Sequence, residues 1–188
     1  MNIGILGGTF NPVHLGHLLL AEGALETLGL ERILWVPARL PPHKPVDGPT
    51  PAEDRCRMVE LAIAGLSRFE LSRVELDRPG PSYTVDTLLT LRHQRPGDAW
   101  LILIGSDMLA DLHRWHKIRE AMTLATFAAV PRPGMPVGRW PAGVARFDTP
   151  TLDISSSTIR DRVRRGRSIR YLVPEAVRRY IEDRGFYR

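Results

Sequence analysis

Residues Asn2–His17, NIGILGGTFNPVHLGH, decide how the rest of the chain is read. Asn2–Leu6 is a short apolar run, and Gly7-Gly8 ends it as a buried strand entering a tight turn would end. His14-Leu15-Gly16-His17 opens a predicted helix, Leu15–Leu28, whose leucines at 15, 18, 19, 25 and 28 lie near the helical period. Gly29 is placed to stop it. A strand, a glycine turn and a helix start together suit an anion. The glycines let backbone N–H groups approach closely, and the helix N-terminus adds unpaired donors and a favourable dipole. His14 and His17 sit about one turn apart, so both imidazoles can face one phosphate. Gly16 between them removes a side chain where a base or ribose would pack. The pattern is neither GxGxxG nor GxxxxGK[ST]. Zinc is the rival for an HxxH pair, but it needs further ligands and no cysteine stands nearby.

Outward from this opening, Arg32–Val36 reads as a second strand and Pro37–Pro51, with six prolines, as a loop long enough to be functional or to move over a ligand. Ala52–Ala64 reads as helix and Phe69–Leu76 alternates like a strand. Ser82 is a plausible N-cap for a helix from Tyr83 to about His93. Trp100–Ile104 (WLILI) has the unbroken apolar character of a central strand covered on both faces. Gly105-Ser106-Asp107 ends it, and a helical stretch reaches about Met122. Strands at Thr126–Val130 and Val144–Phe147 flank a Pro/Gly-rich loop, Pro131–Gly143. Helices at Ser156–Arg165 and Pro174–Arg184 close the chain.

Strands alternating with helices predict an α/β fold. It is Rossmann-like and doubly wound, with a mainly parallel sheet, C-terminal helices and one domain over residues 1–188. Ligands of such sheets bind beyond the carboxyl ends of the strands. Gly7–His17, the loop after Val36 and Gly105–Asp107 all fall there.

Composition narrows the class. With 43% hydrophobic and 25% charged residues, the chain reads as an ordinary globular protein. No apolar run approaches a membrane span, and the start has neither a basic region nor a cleavage site for export. Cys56 is the sole cysteine, which excludes an intrachain disulfide and a cysteine-rich zinc site. The expected location is the cytoplasm. The net charge of +5 is concentrated late, with ten arginines against four acids from Ile159 to Arg188. Such a patch attracts polyphosphate or nucleic acid, or is a solvated helical face. Interleaved acids and few aromatics argue against nucleic acid as a partner. A homo-oligomer is left open.

GGTFNPVHLGH resembles the GGTFxPxHxGH signature of the nucleotidyltransferase superfamily with its (T/H)xGH motif. ISSSTIR at Ile154–Arg160 resembles that superfamily's second motif, whose hydroxyls and arginine hold ATP phosphates at another helix start. Four further stretches make the chain most similar to the bacterial nicotinate-nucleotide adenylyltransferases: PPHK at Pro41–Lys44, PSYTVDTL at Pro81–Leu88, IGSDML at Ile104–Leu109 and HRWHKI at His113–Ile118. The resemblance spans nearly the whole chain. It implies adenylyl transfer from ATP to nicotinate mononucleotide, giving nicotinate adenine dinucleotide and pyrophosphate in NAD biosynthesis.

The resemblance also implies a site. ATP falls to Gly7, Gly8, Thr9, Phe10, His14, His17, Gly105, Asp107, Ile154, Ser156, Ser157, Thr158 and Arg160. The mononucleotide falls to Gly8, Thr9, Asn11, Lys44, Thr84, Trp115 and His116. His14, His17, Lys44 and Arg160 carry the chemistry. Magnesium is expected with the ATP phosphates rather than in a protein metal site. His116 stands where the family often has tyrosine, and Asn11 where the signature often has aspartate.

Taken without the resemblance, several of these residues have plainer readings. Trp115 alone reads as a core tryptophan, although charged His113, Arg114, His116 and Lys117 beside it favour an exposed role; Lys44 alone reads as a surface lysine, and Thr84 and Asp86 as first-turn helix residues. Asp107 is either a helix N-cap or an acceptor for a ribose or adenine hydrogen bond. Arg160, four residues after Ser156, can fork onto phosphates held at that helix start. The rival functions are adenylyl transfer to nicotinamide mononucleotide or phosphopantetheine, a non-catalytic nucleotide sensor, and a nucleic-acid-binding module.

Overall fold

The long strands are buried at nearly every position, with their side chains divided between two cores, and this builds one sheet with two covered faces. A computed structural model describes residues 1–41, 50–131 and 140–188. Its strands are β1 (Asn2–Gly8), β2 (Arg32–Pro37), β3 (Phe69–Leu71), β4 (Ala99–Gly105), β5 (Thr126–Val130) and β6 (Val144–Arg146). The helices are α1 (Leu15–Thr27), α2 (Ala52–Ile63), α3 (Thr84–Gln94), α4 (Ile118–Leu124), α5 (Ser156–Arg164) and α6 (Glu175–Arg184). Leu6, Ile33, Trp35, Leu103 and Ala128 join the core shared with α1, α2, α5 and α6. Ile3, Ile5, Leu34, Ile102 and Phe127 join the opposite core under α3 and α4. Gly4 belongs to the first face: a Cβ there would lie 2.7–2.9 Å from Ile33, Leu30 and Leu103.

The strand order is β3-β2-β1-β4-β5-β6, and every pairing is parallel. The expected doubly wound α/β sheet is thus present. The winding reverses between β1 and β4. Those strands pair from Asn2↔Ala99 to Ile5↔Ile102, whereas β1 stays paired with β2 through Gly8↔Pro37. The carboxyl ends of β1 and β4 therefore part, which opens the crevice where such sheets bind ligands.

Four local expectations need correction. The strand predicted over Phe69–Leu76 stops at Leu71. Beyond it Arg73 forks onto Glu53 of α2 at 2.8 Å and Asp77 N–H donates to Arg73 O, so the chain turns. The helix expected from Asp107 to Met122 is two 3₁₀ turns, Ser106–Met108 and Leu112–Arg114, before α4. Trp115 is extended and Lys117 has φ +48°, which breaks the helical path. Ser82 is not a cap: its hydroxyl accepts Arg39 N–H at 3.0 Å, and Tyr83 occupies the cap position of α3. Phe147 lies past the end of β6 with its ring in the core.

Candidate active site at the sheet switch point

Gly7 is exposed at the crevice, and a Cβ there would meet nothing within 4 Å. Gly8 has a different task, because its missing Cβ leaves room for the Phe10 ring at 3.1 Å. Phe10 takes φ +48° and is 2% exposed, packed 5.5 Å from Trp35 and edge-on 5.1 Å from His17. The turn thus turns an aromatic inward and keeps its glycine backbone open.

His14 caps α1 and is buried. Its backbone N–H donates to His17 Nδ1 at 3.2 Å, and the two rings lie 3.7 Å apart between centroids at 32°. An accepting Nδ1 places the proton of a neutral His17 on Nε2, the donor that a phosphate oxygen requires. Gly16 also lacks room for a side chain: a Cβ there would press on His14 Nδ1 at 3.1 Å and Cε1 at 3.2 Å, so the glycine accommodates the buried imidazole at a position that lines the adjoining cleft.

The second helix start lies against the same turn. Ser156 Oγ donates to Pro12 O at 2.8 Å, and Arg160 donates to Asn11 O at 2.8 Å. The cap of α5 is Ser155, which the sequence reading passed over. Its hydroxyl accepts Thr158 N–H at 3.1 Å and lies within 2.9 Å of the hydroxyls of Ser157 and Thr158. Ile154, Ser157 and Thr158 therefore stand at a capped helix N-terminus, with Ser156 and Arg160 joining it to α1's turn. A narrow cleft is lined by His14, Gly16, His17 and Leu20 from the start of α1, by Val130 at the end of β5, and by Leu152 and Ile154 from the segment before α5.

Gly105 ends β4 as the cap of the first 3₁₀ turn, so Asp107 lies inside that turn and is not the cap. Thr84 is half-buried at the start of α3. The adjoining Tyr83 ring stacks on His116, 4.3 Å between centroids at 28°. That stack brings Thr84 and the Trp115-His116 pair to one place. Trp115 is half-buried, edge-on to Phe127 at 6.3 Å, so the core and exposed readings each describe part of it. Lys44, and residues 42–49 of the candidate mobile loop, lie outside the described residues. Among the described residues no group of three or more His, Cys, Asp or Glu side chains gathers for a metal.

A family model described as cytidylyltransferase-like matches residues 5–162. The chain belongs to the cytidylyltransferase-like family. Among curated relatives it is 50% identical to the probable nicotinate-nucleotide adenylyltransferase of Geobacillus kaustophilus, over 98% of this chain and 85% of that protein. It is 49% identical to that of Thermus thermophilus, with both chains covered in full. The Plasmodium falciparum nicotinic acid mononucleotide adenylyltransferase complexed with NaAD superposes with a TM-score of 0.81 at 22% identity, covering 99% of this chain and 97% of that one.

Within this cytidylyltransferase-like chain, two contributors beneath the glycine turn escaped the sequence reading. Arg55 of α2, 1% exposed, donates to Thr9 O at 2.6 Å and to Arg39 O at 3.2 Å. Tyr187, next to the last residue, donates its hydroxyl to Asn11 Oδ1 at 2.6 Å. Burial pushes that phenol up to about 12. A hydrophilic residue at a buried periodic position of α2 was the only available sign of Arg55. For Tyr187 the sequence carried none.

Proposed function

We propose that this chain transfers the adenylyl group of ATP to the phosphate of nicotinate mononucleotide, releasing pyrophosphate and forming nicotinate adenine dinucleotide for NAD biosynthesis. One observation carries the reading. Two helix N-termini, one with His14 and His17 and one with Ser155–Thr158, meet across residues 11–12 beside the parted ends of β1 and β4. That arrangement offers donors to a polyphosphate from two sides.

The acceptor phosphate is already an anion, so attack on the α-phosphorus needs neither a covalent intermediate nor a strong base. Catalysis is alignment and charge neutralisation. His14, His17, Lys44 and Arg160 neutralise the triphosphate and departing pyrophosphate, with Gly7–Phe10 and Ile154–Thr158 supplying backbone and hydroxyl donors. Leu20, Val130, Leu152 and Ile154 give the cleft an apolar wall suited to adenine, with Gly105 and Asp107 towards the ribose. On the acceptor side, Gly8, Thr9 and Asn11 lie under the phosphate. Trp115 offers a ring face to the pyridine, while Thr84 and the backbone at His116 offer donors to its carboxylate. Amide and hydroxyl donors suit phosphate oxygens better than a bare divalent ion, so magnesium would enter with ATP and lessen its charge. Among the described residues no helix is long and apolar enough to cross a membrane, in keeping with work in the cytoplasm.

The test is pyrophosphate release from ATP and magnesium with nicotinate mononucleotide, nicotinamide mononucleotide and phosphopantetheine offered in parallel. The nicotinate form should react fastest and yield the dinucleotide. A faster reaction with either alternative would overturn the acceptor roles of Thr84 and Trp115. Absence of release from folded, ATP-binding protein would favour a sensor.

A further inference from the structure

Arg55 is a charged group placed where an apolar one would cost less. Its guanidinium is buried on α2, and burial lowers its proton affinity without bringing it near neutrality. Both of its hydrogen-bond partners are neutral carbonyls, Thr9 O at the end of β1 and Arg39 O beyond β2. Asp54, its neighbour in the chain, is turned instead to the Tyr180 hydroxyl at 2.7 Å and to Arg184 at 3.1 Å. Tyr187 lies close enough to interact electrostatically, but its high pKa leaves it neutral. Among the described residues, then, no carboxylate is hydrogen-bonded to Arg55. Burying a charge without a counter-charge disfavours the fold. A role in the site accounts for it.

We infer that Arg55 is a positioning residue for the anion-binding turn. It locks Thr9 to Arg39 and places a full positive charge behind the backbone that meets the phosphates; the inference rests on reading Gly7–His17 as that site. Holding Thr9 O inward fixes the plane of the Thr9–Phe10 peptide, since the carbonyl and the next N–H of a trans peptide point opposite ways. The buried charge is weakly screened, so it acts on an anion it does not touch. The ligand class is a polyphosphate, and the site would distinguish it from a monovalent anion by charge.

Inorganic pyrophosphate is the probe, titrated into the full chain by calorimetry at low and moderate salt. This readout needs no acceptor, so a wrong acceptor assignment would leave it intact. Arg55→Gln keeps a donor but removes the charge, and should weaken pyrophosphate binding roughly tenfold. Arg55→Lys should restore affinity to within about threefold of wild type. Arg68→Met is the structural control. Arg68 also donates to backbone carbonyls, Leu30 O and Glu31 O, but in the connection leading into β2 at the opposite end of the sheet. Its loss should lower the melting temperature and leave pyrophosphate affinity unchanged. Wild-type affinity in folded Arg55→Gln would overturn the inference, as would equal loss in the Arg55→Lys and Arg68→Met proteins. If glutamine prevents folding, Arg55→Lys decides: retained affinity supports the charge, and a tenfold loss refutes it.

Discussion

Substituting Gly16 by alanine separates two explanations for the glycine between the histidines. The position has ordinary helical backbone, so no conformational strain attends the change. The new methyl would lie 3.1 Å from His14 Nδ1 and 3.2 Å from Cε1, with the next neighbour, Leu152 O, at 3.9 Å. The His14 ring must therefore move by a few tenths of an ångström, although it is buried and stacked on His17. Overpacking of this kind costs about 1–3 kcal/mol, while replacing glycine within a helix returns about 0.5–1 kcal/mol. Net destabilisation should be about 0–2.5 kcal/mol, a fall in melting temperature of at most about 10 °C for a chain of this size. Misplacing a reacting group by about 1 Å can cost roughly 100-fold in rate, so a shift a few tenths as large should lower kcat about 3- to 10-fold.

The assay is pyrophosphate release at saturating ATP and mononucleotide, run as a double-mutant cycle with His14→Ala. Gly16→Ala should slow the wild-type background and leave His14→Ala no slower, because the ring it displaces is gone. An equal slowing in both backgrounds would refute the argument and restore the sequence-based view that Gly16 clears space for substrate.

His17→Ala should lower turnover about 10²- to 10⁴-fold in a folded protein, as loss of a charge-stabilising donor does; near-wild-type turnover would remove His17 from the mechanism. Trp115→Ala should raise the KM for the mononucleotide more than that for ATP, and an equal rise in both would count against a ring platform. At Gly23 a Cβ would collide with the Thr149 side chain. Gly23→Ala should therefore destabilise by about 1–3 kcal/mol in chemical denaturation, and a Thr149→Gly partner should recover most of it. Burial pushes the Glu75 carboxyl up, against the hydrogen bonds it accepts from Thr87 and Ser82 and the nearby Arg78. With the folded value raised, the folded state holds the extra proton, so stability falls as pH rises from about 4.5 through that higher value. Glu75→Gln should flatten this segment of the stability–pH curve, and an unchanged slope there would show that Glu75 does not contribute it.

The four longer strands, β1, β2, β4 and β5, were legible because each is an apolar run whose burial depends on its own composition, as WLILI in β4 shows. The glycine turn and the helix starts proposed to face phosphate were legible as local structure because glycines and helix starts are local signals. The stretch after Asp107 was not. LADLHRWHKIREAM is locally helical in composition, but Lys117 is left-handed and His116 stacks on Tyr83 from another element, a contact no window of sequence contains. Gly16 was read incompletely for a similar reason. The absence of a side chain states that space is needed, and only the packing shows that His14 claims part of it.

The turn at residues 9–12 shows why a signature can mark a site without building it. Its carbonyls at Thr9, Asn11 and Pro12 accept hydrogen bonds from Arg55, Arg160 and Ser156, and Asn11 Oδ1 accepts one from Tyr187. A phenylalanine at φ +48° is unfavourable alone, so the turn needs outside support to persist. Those supports come from α2, α5 and the chain's end, and they engage the inward side of the backbone. The outward N–H groups are thereby left oriented for an anion before one arrives. Preorganisation of this kind makes Arg55 and Tyr187 matter to the proposed anion site although neither is assigned a contact with substrate. Substitutions at Arg55 or Tyr187 should therefore alter anion affinity and stability together, whereas substitutions at His17 should fall chiefly on turnover.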